Sequence, residues 1–332
     1  MQKTIGKGCK MKNPGYLYRR RIISSIYSKV ETDNTLVGHH GHGRFANVRI
    51  EGLTLRDATT WTAVVEKVAN YTVYEVKVLN HHNATVYKVR RETLRDRDRR
   101  KRVTTFYCSF RMFTSMLMLI LKLFPPCISN KIENDGLDLV ANSDSSVDRC
   151  LVVTCDDAMC SKSSEEDAGI DNVAFTNNIV FSWCAGQKAG MQAESIHQNV
   201  VFRNNDVVQA RRGLVAEITE GKETLHGVTF RDVRVEALVR TVGKSPQAVE
   251  INADTAAIRN ISFFDVSITG VAAARQSGDQ EGNVWIHGKS ATKEYVEGVH
   301  FHGLHLDGEL ILNAKAANLT AENANAITFD KN

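Results

Sequence analysis

Three carboxylates that lie close together in the sequence are the residues best suited to chemistry. Asp135 belongs to the stretch NDGLDL, and Asp156 with Asp157 belongs to CDDA, 21 residues further on. Carboxyl groups that crowd together cannot all ionise cheaply, so one should keep its proton at neutral pH while another stays charged. Cleavage of a glycosidic bond needs such a pair, an acid for the leaving oxygen and a carboxylate that activates water or attacks the sugar. Asp side chains that cap turns or hold calcium are the alternative interpretation.

A recurring phrase in the sequence predicts the elements that would position these carboxylates. In each copy, apolar residues alternate with polar ones around a central Asn or Asp, and many of the apolar residues are β-branched. The copies begin at Asn47, Asn70, Ser146, Asn172, Asn199, Gly227, Asn260 and Gly298. Alternation with a period of two predicts short strands, and a repeat of this length predicts stacked coils, because one coil cannot bury its apolar face alone.

The sequence therefore predicts an all-β fold, a single-stranded right-handed parallel β-helix of about nine to eleven coils. The Asn or Asp within each phrase suits a sharp turn between two strands, since both residues tolerate left-handed backbone geometry. A stack of α-hairpins is the rival, but stretches with a helical period of 3.6 residues are missing. Because 21 residues make about one coil, Asp135 and Asp156 should have Cα atoms about 5 Å apart on neighbouring coils.

One irregular spacing predicts an interruption of the coils. The starts at Asn70 and Ser146 are 76 residues apart, and residues 85–132 fill the gap with a charge run and an apolar stretch too short to span a bilayer. We expect an insertion there, or a stretch foreign to the mature product such as an unspliced intron. The predicted organisation is an atypical N-terminal segment, 1–45, followed by a parallel β-helix, 46–332, interrupted by 85–132.

Composition and charge narrow the classes of protein. The net charge is +4, but residues 85–132 hold 12 Lys and Arg against 3 Asp and Glu, which leaves 30 against 35 elsewhere. The basic character thus belongs to one segment, so we expect no nucleic-acid partner, and the lack of an apolar run of about 20 residues predicts no membrane span. The first residues contain no apolar stretch typical of a secretory signal, and we expect a monomer.

Cysteine, histidine and sequon patterns offer weaker sites. Seven cysteines cannot all pair, and those at Cys150, Cys155 and Cys160 suit structural or disulfide-forming roles. The histidines at positions 39, 40 and 42 lack carboxylate or Cys partners at ligand spacing, so a loop is expected there and no metal. The histidines on or beside the coil phrases are predicted to face solvent; they are His197, His226, His300, His302 and His305. Sequons at positions 70, 83, 260 and 318 are compatible with secretion but do not require it.

The stretch NDGLDL is followed one coil later by CDDA and then by Lys162. This pattern resembles the NTDG and GDD…K signatures of glycoside hydrolase family 28, the polygalacturonases. The resemblance covers residues 46–84 and 133 to about 310, and that family has a right-handed parallel β-helix. It implies that Asp156 is the general acid and that Asp135 with Asp157 positions and deprotonates the attacking water, with inversion at the anomeric carbon. It also implies an extracellular enzyme of cell-wall polysaccharide, without a cofactor.

Two departures from the family concern the substrate. Where a Gly-His-Gly motif is expected, the chain has GQKAG, with Gln187 in place of the His. The Arg-Ile-Lys motif that grips the substrate carboxylate should fall near residues 213–218, where neither cation occurs. Predicted substrate-binding residues are therefore Lys162, Gln187, Lys188 and the nearby Trp183, a candidate for stacking on a sugar. Solvated surface positions for the cations, including Arg211 and Arg212, and a corner-packing role for Trp183 are the alternatives.

The predicted function is hydrolysis of O-glycosidic bonds in a polysaccharide, with pectin as the leading substrate. A dextranase-type enzyme of glycoside hydrolase family 49 is one alternative, because DDA also resembles that family. A polysaccharide lyase is another, although we expect no Arg beside the acids to act as its base. A third is a non-catalytic carbohydrate-binding β-helix. Carboxylates on adjacent rungs would favour retention by the separation rule, whereas the resemblance implies inversion, which we follow.

Overall fold

The structure, a computed structural model, describes residues 45–56, 62–80, 134–164, 166, 168–241, 244–276, 279 and 282–331. All of them belong to one of the two units into which the chain divides, Met1–His81 with Ile132–Asn332. The other unit, His82–Lys131, lies outside the described residues. The predicted insertion at 85–132, almost all of the atypical segment 1–45 and the histidines near position 40 therefore remain predictions.

Three long sheets, named here A, B and C, make up the described part of the chain. Sheet A contains β1 (Phe45–Glu51), β4 (Val68–Tyr74), β7 (Ser143–Asp148), β10 (Asp171–Thr176), β13 (His197–Arg203), β16 (Leu225–Arg231), β19 (Ile258–Phe264), β22 (Val296–His302) and β26 (Ala324–Asp330). Sheet B contains β2 (Thr54–Arg56), β5 (Lys77–Leu79), β8 (Leu151–Val153), β11 (Ile179–Phe181), β14 (Asp206–Gln209), β17 (Arg234–Val235), β20 (Ser267–Ile268), β23 (His305–Leu306) and β24 (Glu309–Leu310). Sheet C contains β3 (Ala63–Glu66), β6 (Leu137–Val140), β9 (Met159–Ser163), β12 (Ala185–Ala193), β15 (Arg212–Gly221), β18 (Gln247–Ala253), β21 (Val284–Gly288) and β25 (Leu319–Glu322).

Successive strands visit the three sheets in turn, which makes the fold a parallel β-helix. Within sheets A and C neighbouring strands pair in parallel, and each inner strand pairs with the strand one coil before and the strand one coil after it. Among the strands of the described residues, β23 and β24 form an antiparallel pair at the end of sheet B. The predicted parallel β-helix is thus confirmed, and the nine strands of sheet A correspond to nine coils over the described residues.

Each recurring phrase of the sequence forms a strand of sheet A, a bend and a strand of sheet B. Asn177 and Asn204, at the bends after β10 and β13, have φ angles of 57° and 52°, the left-handed geometry predicted for these residues. A second ladder of buried amides lies one residue later. Asn178 accepts a hydrogen bond from the backbone N–H of Cys150 at 2.8 Å, and Asn205 accepts one from Asn178 at 2.8 Å. These contacts hold consecutive bends in register.

The interior is filled by columns of apolar side chains, one residue per coil. The clearest is a stack of phenylalanines on the inner face of sheet A, whose neighbouring ring centroids are 4.7 to 5.1 Å apart. Its members are Phe175, Phe202, Phe230, Phe263, Phe301 and Phe329. The same pattern of inward apolar residues fixes which side chains of sheet C face outward, because side chains alternate between the two faces of a strand.

Helical structure in the described residues amounts to one turn, α1 (Val271–Ala274), which follows β20. Asp307 accepts hydrogen bonds from the backbone N–H groups of Val271 and Ala272, which holds that turn against the next coil. Over the residues that the structure describes, no helix has the length and apolar character needed to traverse a bilayer.

Candidate active site

The three predicted carboxylates lie at the corner where the chain enters sheet C. Asp135 precedes β6 and Asp157 precedes β9 by the same two residues, and these strands pair with Leu137 opposite Met159. The offset is therefore 22 residues, and Asp157, rather than Asp156 as predicted, adjoins Asp135 on the next coil. The backbone N–H of Gly136 donates to the carbonyl of Asp157 at 2.8 Å, which is consistent with this register.

Gly136 allows the close approach of the two coils at this corner. A Cβ atom on Gly136 would lie 2.3 Å from the carbonyl oxygen of Ala158 and 2.3 Å from Cγ1 of Val152. Any side chain there would push the two coils apart, because such distances are far below van der Waals contact. Gly136 of the NDG motif thus has a packing role, whereas the adjacent Asp135 is a candidate for chemistry.

Asp135 belongs to a first ion cluster that is closed to solvent. Nζ of Lys162 lies 2.7 Å from Oδ2 of Asp135 and 2.8 Å from Oδ2 of Asp138, and all three side chains are buried. Burial and the neighbouring Asp138 raise the pKa of Asp135 well above its ordinary range, against the opposing effect of Lys162. Because two carboxyl groups share one ammonium group, Asp135 is the member that keeps a proton.

Asp157 belongs to a second ion cluster, which spans four coils. Nζ of Lys188 lies 2.7 Å from Asp157 and 2.6 Å from Glu217. The guanidinium of Arg212 lies 3.4 Å from Asp157, 2.9 Å from Glu217 and 3.1 Å from Glu250. Burial opposes ionisation of Asp157, but Lys188 and Arg212 outweigh it and hold the pKa of this carboxyl well below its ordinary range. Asp157 is therefore a carboxylate at neutral pH.

Asp156 is the most accessible of the three acids. Its side chain is only partly buried, and its Oδ1 accepts a hydrogen bond from the backbone N–H of Asp157 at 2.9 Å. Burial and the negative charge of Asp157 raise the pKa of Asp156 to about 6. A carboxylic acid that reaches solvent thus lies directly beside a carboxylate that stays charged, which is the division of roles that acid–base chemistry requires.

Cys184 and Trp183 lie at the same corner one coil further on. The thiol of Cys184 is 3.5 Å from a guanidinium nitrogen of Arg212, and burial together with Asp157 raises its pKa to about 12, so it is not a thiolate nucleophile at neutral pH. Trp183 packs edge-on against Phe181, with ring centroids 5.9 Å apart. That contact agrees with the corner-packing alternative, and stacking of Trp183 on a sugar stays a prediction.

Gln187 faces the wrong way for its predicted role in binding substrate. It pairs with Met159 and Leu214 on neighbouring strands, both in the apolar core, so its side chain points into the coil. It is fully buried, and neither polar atom of its amide has a hydrogen-bond partner in the described part of the chain. The resemblance to the family motif could not reveal this direction, because a motif in the sequence does not determine which face of β12 each residue occupies.

The alternative prediction, that the cations occupy solvated surface positions, is wrong. Lys162, Lys188 and Arg212 are between 1% and 7% exposed, and carboxylates occupy their charged groups. Substrate contact by Lys162 and Lys188, as predicted, would require these ion pairs to open. Arg211 differs: it is also buried, but within the described residues it pairs with no carboxylate, and its guanidinium lies near the carbonyl of Ser245 and the thiol of Cys184, at 3.5 and 3.8 Å.

Sequence reasoning missed three acids of the ion clusters, Asp138, Glu217 and Glu250. For Asp138 and Glu250, the signal that could have found them is the register of sheet C, which places both in one outward column with Lys188. The prediction for His197 was also wrong. It is fully buried, its Nε2 is 2.9 Å from the hydroxyl of Ser161, and burial lowers its pKa to about 4.

Two groups of side chains have the composition of a metal site, Asp135 with Asp138 and Cys160, and Asp156 with Asp157 and Cys184. In the first, Lys162 contacts both carboxylates, and in the second, Arg212 contacts both Asp157 and Cys184. Each group thus already holds a cation supplied by the protein.

Of the predicted structural cysteines, Cys155 is disulfide-bonded, whereas Cys150 and Cys160 are free.

Comparison with known proteins yields a structural likeness and no sequence relative. No family model matches the chain, and no curated protein matches it. Among solved structures, a hyperthermoactive exopolygalacturonase from Thermotoga maritima matches with a TM-score of 0.39 and 13% sequence identity, over 80% of this chain and 54% of that one. The chain thus spans about half the length of that enzyme. The fold assignment stands on the three sheets themselves.

Proposed function

We propose that this protein is a glycoside hydrolase that cleaves a polysaccharide, with pectin as the substrate class. The observation that carries the proposal is the opposite displacement of two adjacent pKa values, with Asp156 raised to about 6 and Asp157 lowered. Protonated Asp156 donates to the leaving glycosidic oxygen, and ionised Asp157 orients and activates water. Accessibility supports the assignment of the acid to Asp156, since this carboxyl reaches solvent.

An acidic sugar is favoured by Arg211. A buried guanidinium without a carboxylate is unusual, because buried charges are normally paired. Within the described residues Arg211 is such a group, and it adjoins Cys184 at the same corner as the acids. The carboxylate of a uronic acid matches a guanidinium in charge and in its two-pronged geometry. We propose that Arg211 takes the place of the missing Arg-Ile-Lys cations, and that the reaction inverts the anomeric carbon.

A hydrolysis assay with a matched pair of variants tests the proposal. We expect wild-type protein to release reducing ends from polygalacturonate, and Asp156→Asn to lose at least a hundredfold in rate, the usual contribution of a general acid. Asp232→Asn is the control, because this exposed Asp has a left-handed φ of 53° that Asn also tolerates. Equal rates for wild type and Asp156→Asn would refute the assignment, and release from dextran instead of polygalacturonate would favour the dextranase alternative.

One contact in the structure bears on the lyase alternative, and the charge of the arginine that makes it argues against that alternative. Contrary to expectation, an arginine does lie beside the acids, with Arg212 3.4 Å from Asp157. However, although burial acts to lower its pKa, Glu250 and Glu217 raise the pKa of Arg212 well above its ordinary value, so this guanidinium cannot accept a proton from substrate. An ultraviolet-absorbing unsaturated product would nevertheless identify a lyase.

Proton NMR of the first product tests the proposed inversion. An initial product with the substrate's own anomeric configuration would replace inversion with retention.

A further inference from the structure

A second sugar-binding feature lies on the outer face of sheet C, beyond the ion clusters. The register of sheet C aligns one residue from each of six consecutive strands, β6 to β21, in an outward column, here called the outer column: Asp138, Cys160, Lys188, Val215, Glu250 and Trp285. Trp285 lies between Val284 and Ile286, which are fully buried in the core, so its indole faces outward. The first five members of the column are buried, whereas Trp285 is partly exposed.

One face of the Trp285 ring is covered by a neighbour on the same strand. The imidazole of His287 lies parallel to the indole within 3°, with ring centroids 5.4 Å apart. Both side chains are partly exposed, and Nδ1 of His287 lies 3.3 Å from a carboxylate oxygen of Glu322, which orients the imidazole. The imidazole thus backs one face of the indole, and this stacked pair of Trp285 and His287 is here called the platform.

Trp285 differs from several aromatic residues of the described chain in that no cation lies over its ring. The guanidinium of Arg231 lies 4.2 Å above the ring of Phe264, Arg49 lies 4.9 Å from the centroid of Tyr74, and Arg259 lies 5.1 Å from that of Tyr295. Within the described part of the chain no cation covers Trp285, and its indole N–H makes no hydrogen bond. The ring face opposite His287 and a free donor are therefore both available to a ligand.

We propose that the platform is an outer subsite that stacks a sugar ring of a polysaccharide lying along sheet C, which rests on the proposed function for the identity of the chain. A sugar ring presents C–H groups with slight positive charge on one face and hydroxyl groups at its edge, which suit an aromatic face and an indole N–H. Three rungs separate Lys188, which contacts Asp157, from Trp285, about 14 Å along the coil axis. Only a chain several sugars long spans that distance, so the subsite selects for polymer over short fragments.

Binding measured separately from hydrolysis tests the subsite. In the Asp156→Asn background, we expect Trp285→Ala to weaken binding of long oligogalacturonides about tenfold and to leave binding of short ones unchanged. Trp285→Phe, which keeps a ring, should retain most of the affinity and guards against a folding defect. Phe264→Ala is the matched control, because it removes a partly exposed ring stacked on His302 on the outer face of sheet A.

The outcomes separate this inference from the proposed function. Migration through gels that contain polygalacturonate or dextran shows which polymer retards the protein, whether or not it is hydrolysed. Retardation that Trp285→Ala abolishes, in a protein that releases no product, would refute hydrolysis and keep the subsite. A wild type that neither gel retards, or a Trp285→Ala variant that binds long chains like its parent or loses short and long chains equally, would overturn the subsite.

Discussion

Asp156 and Asp157 are neighbours in the chain, yet they face different surroundings. The carboxylate of Asp157 is held by Lys188 and Arg212, whereas Asp156 contacts the backbone N–H of Asp157 and reaches solvent. Fixing the charge of Asp157 increases the cost of ionising its neighbour, because two like charges then adjoin. The buried cations therefore act on the chemistry through the acid that they do not touch.

The raised pKa of Asp156 predicts how stability depends on pH. Since its pKa rises from 3.8 to about 6 on folding, protonation of Asp156 stabilises the fold below the lower value, and this contribution is lost as the pH rises through about 6. Asp156→Asn cannot ionise, so its free energy of unfolding should gain about 3 kcal/mol on wild type between the acid and neutral ends of that range. Urea unfolding at several pH values measures the difference. A constant difference across that range would contradict the raised pKa.

The first ion cluster makes a second prediction at the residue scale. Lys162→Met would leave Asp138 buried without its cation, which should cost about 3–5 kcal/mol of unfolding free energy. The exposed pair of Lys222 and Glu166, with side chains 63% and 79% exposed, provides the control, and Lys222→Met should cost less than about 1 kcal/mol. Adding Asp138→Asn to Lys162→Met should restore part of the stability. Chemical denaturation of the four proteins tests this, and similar losses for both lysine variants would show that the cluster is not closed to solvent.

At the scale of the strands, the sequence predicted the inward faces better than the outward ones. Alternation such as Val173 with Phe175 locates the core because burial of apolar surface is a property of each strand. The pairing of Arg212 with Glu250, 38 residues apart, depends on the register between coils, which varies as coils differ in length. The same dependence moved the partner of Asp135 from Asp156 to Asp157, and it hid the inward direction of Gln187.

The phenylalanine stack predicts how single coils contribute to stability. Phe230 is fully buried between Phe202 and Phe263, so Phe230→Ala should cost about 3–5 kcal/mol. Phe329 ends the stack, has one ring neighbour in the described residues and is partly exposed, so Phe329→Ala should cost less than half as much. Thermal and urea unfolding compare the two variants. An equal loss at both positions would mean that the stack acts as one unit and not as a series of pairs.

At the scale of the molecule, the strands of each coil in the described residues pair with strands of the coils directly before and after it, so stability should be distributed along the axis. In such solenoids the total is close to a sum of coil stabilities and interfaces between neighbours. The candidate acids lie on coils with a neighbour on each side, between β3 and β12 of sheet C, which restrains both carboxyl-bearing corners. The platform at Trp285 lies nearer the other end, where β25 is the last strand of that sheet.

This arrangement predicts a gradient of amide protection. The strand β26 pairs only with β22 in sheet A and is largely exposed or half-buried, whereas β13 and β16 each pair on both sides. Because an end coil loses one interface on opening and a central coil loses two, amides of β26 should exchange with solvent at least tenfold faster than those of β13 and β16. Hydrogen–deuterium exchange with mass spectrometry measures this directly. Equal protection of all three strands would mean that the coils open together, and the pairwise description of the solenoid would then be wrong.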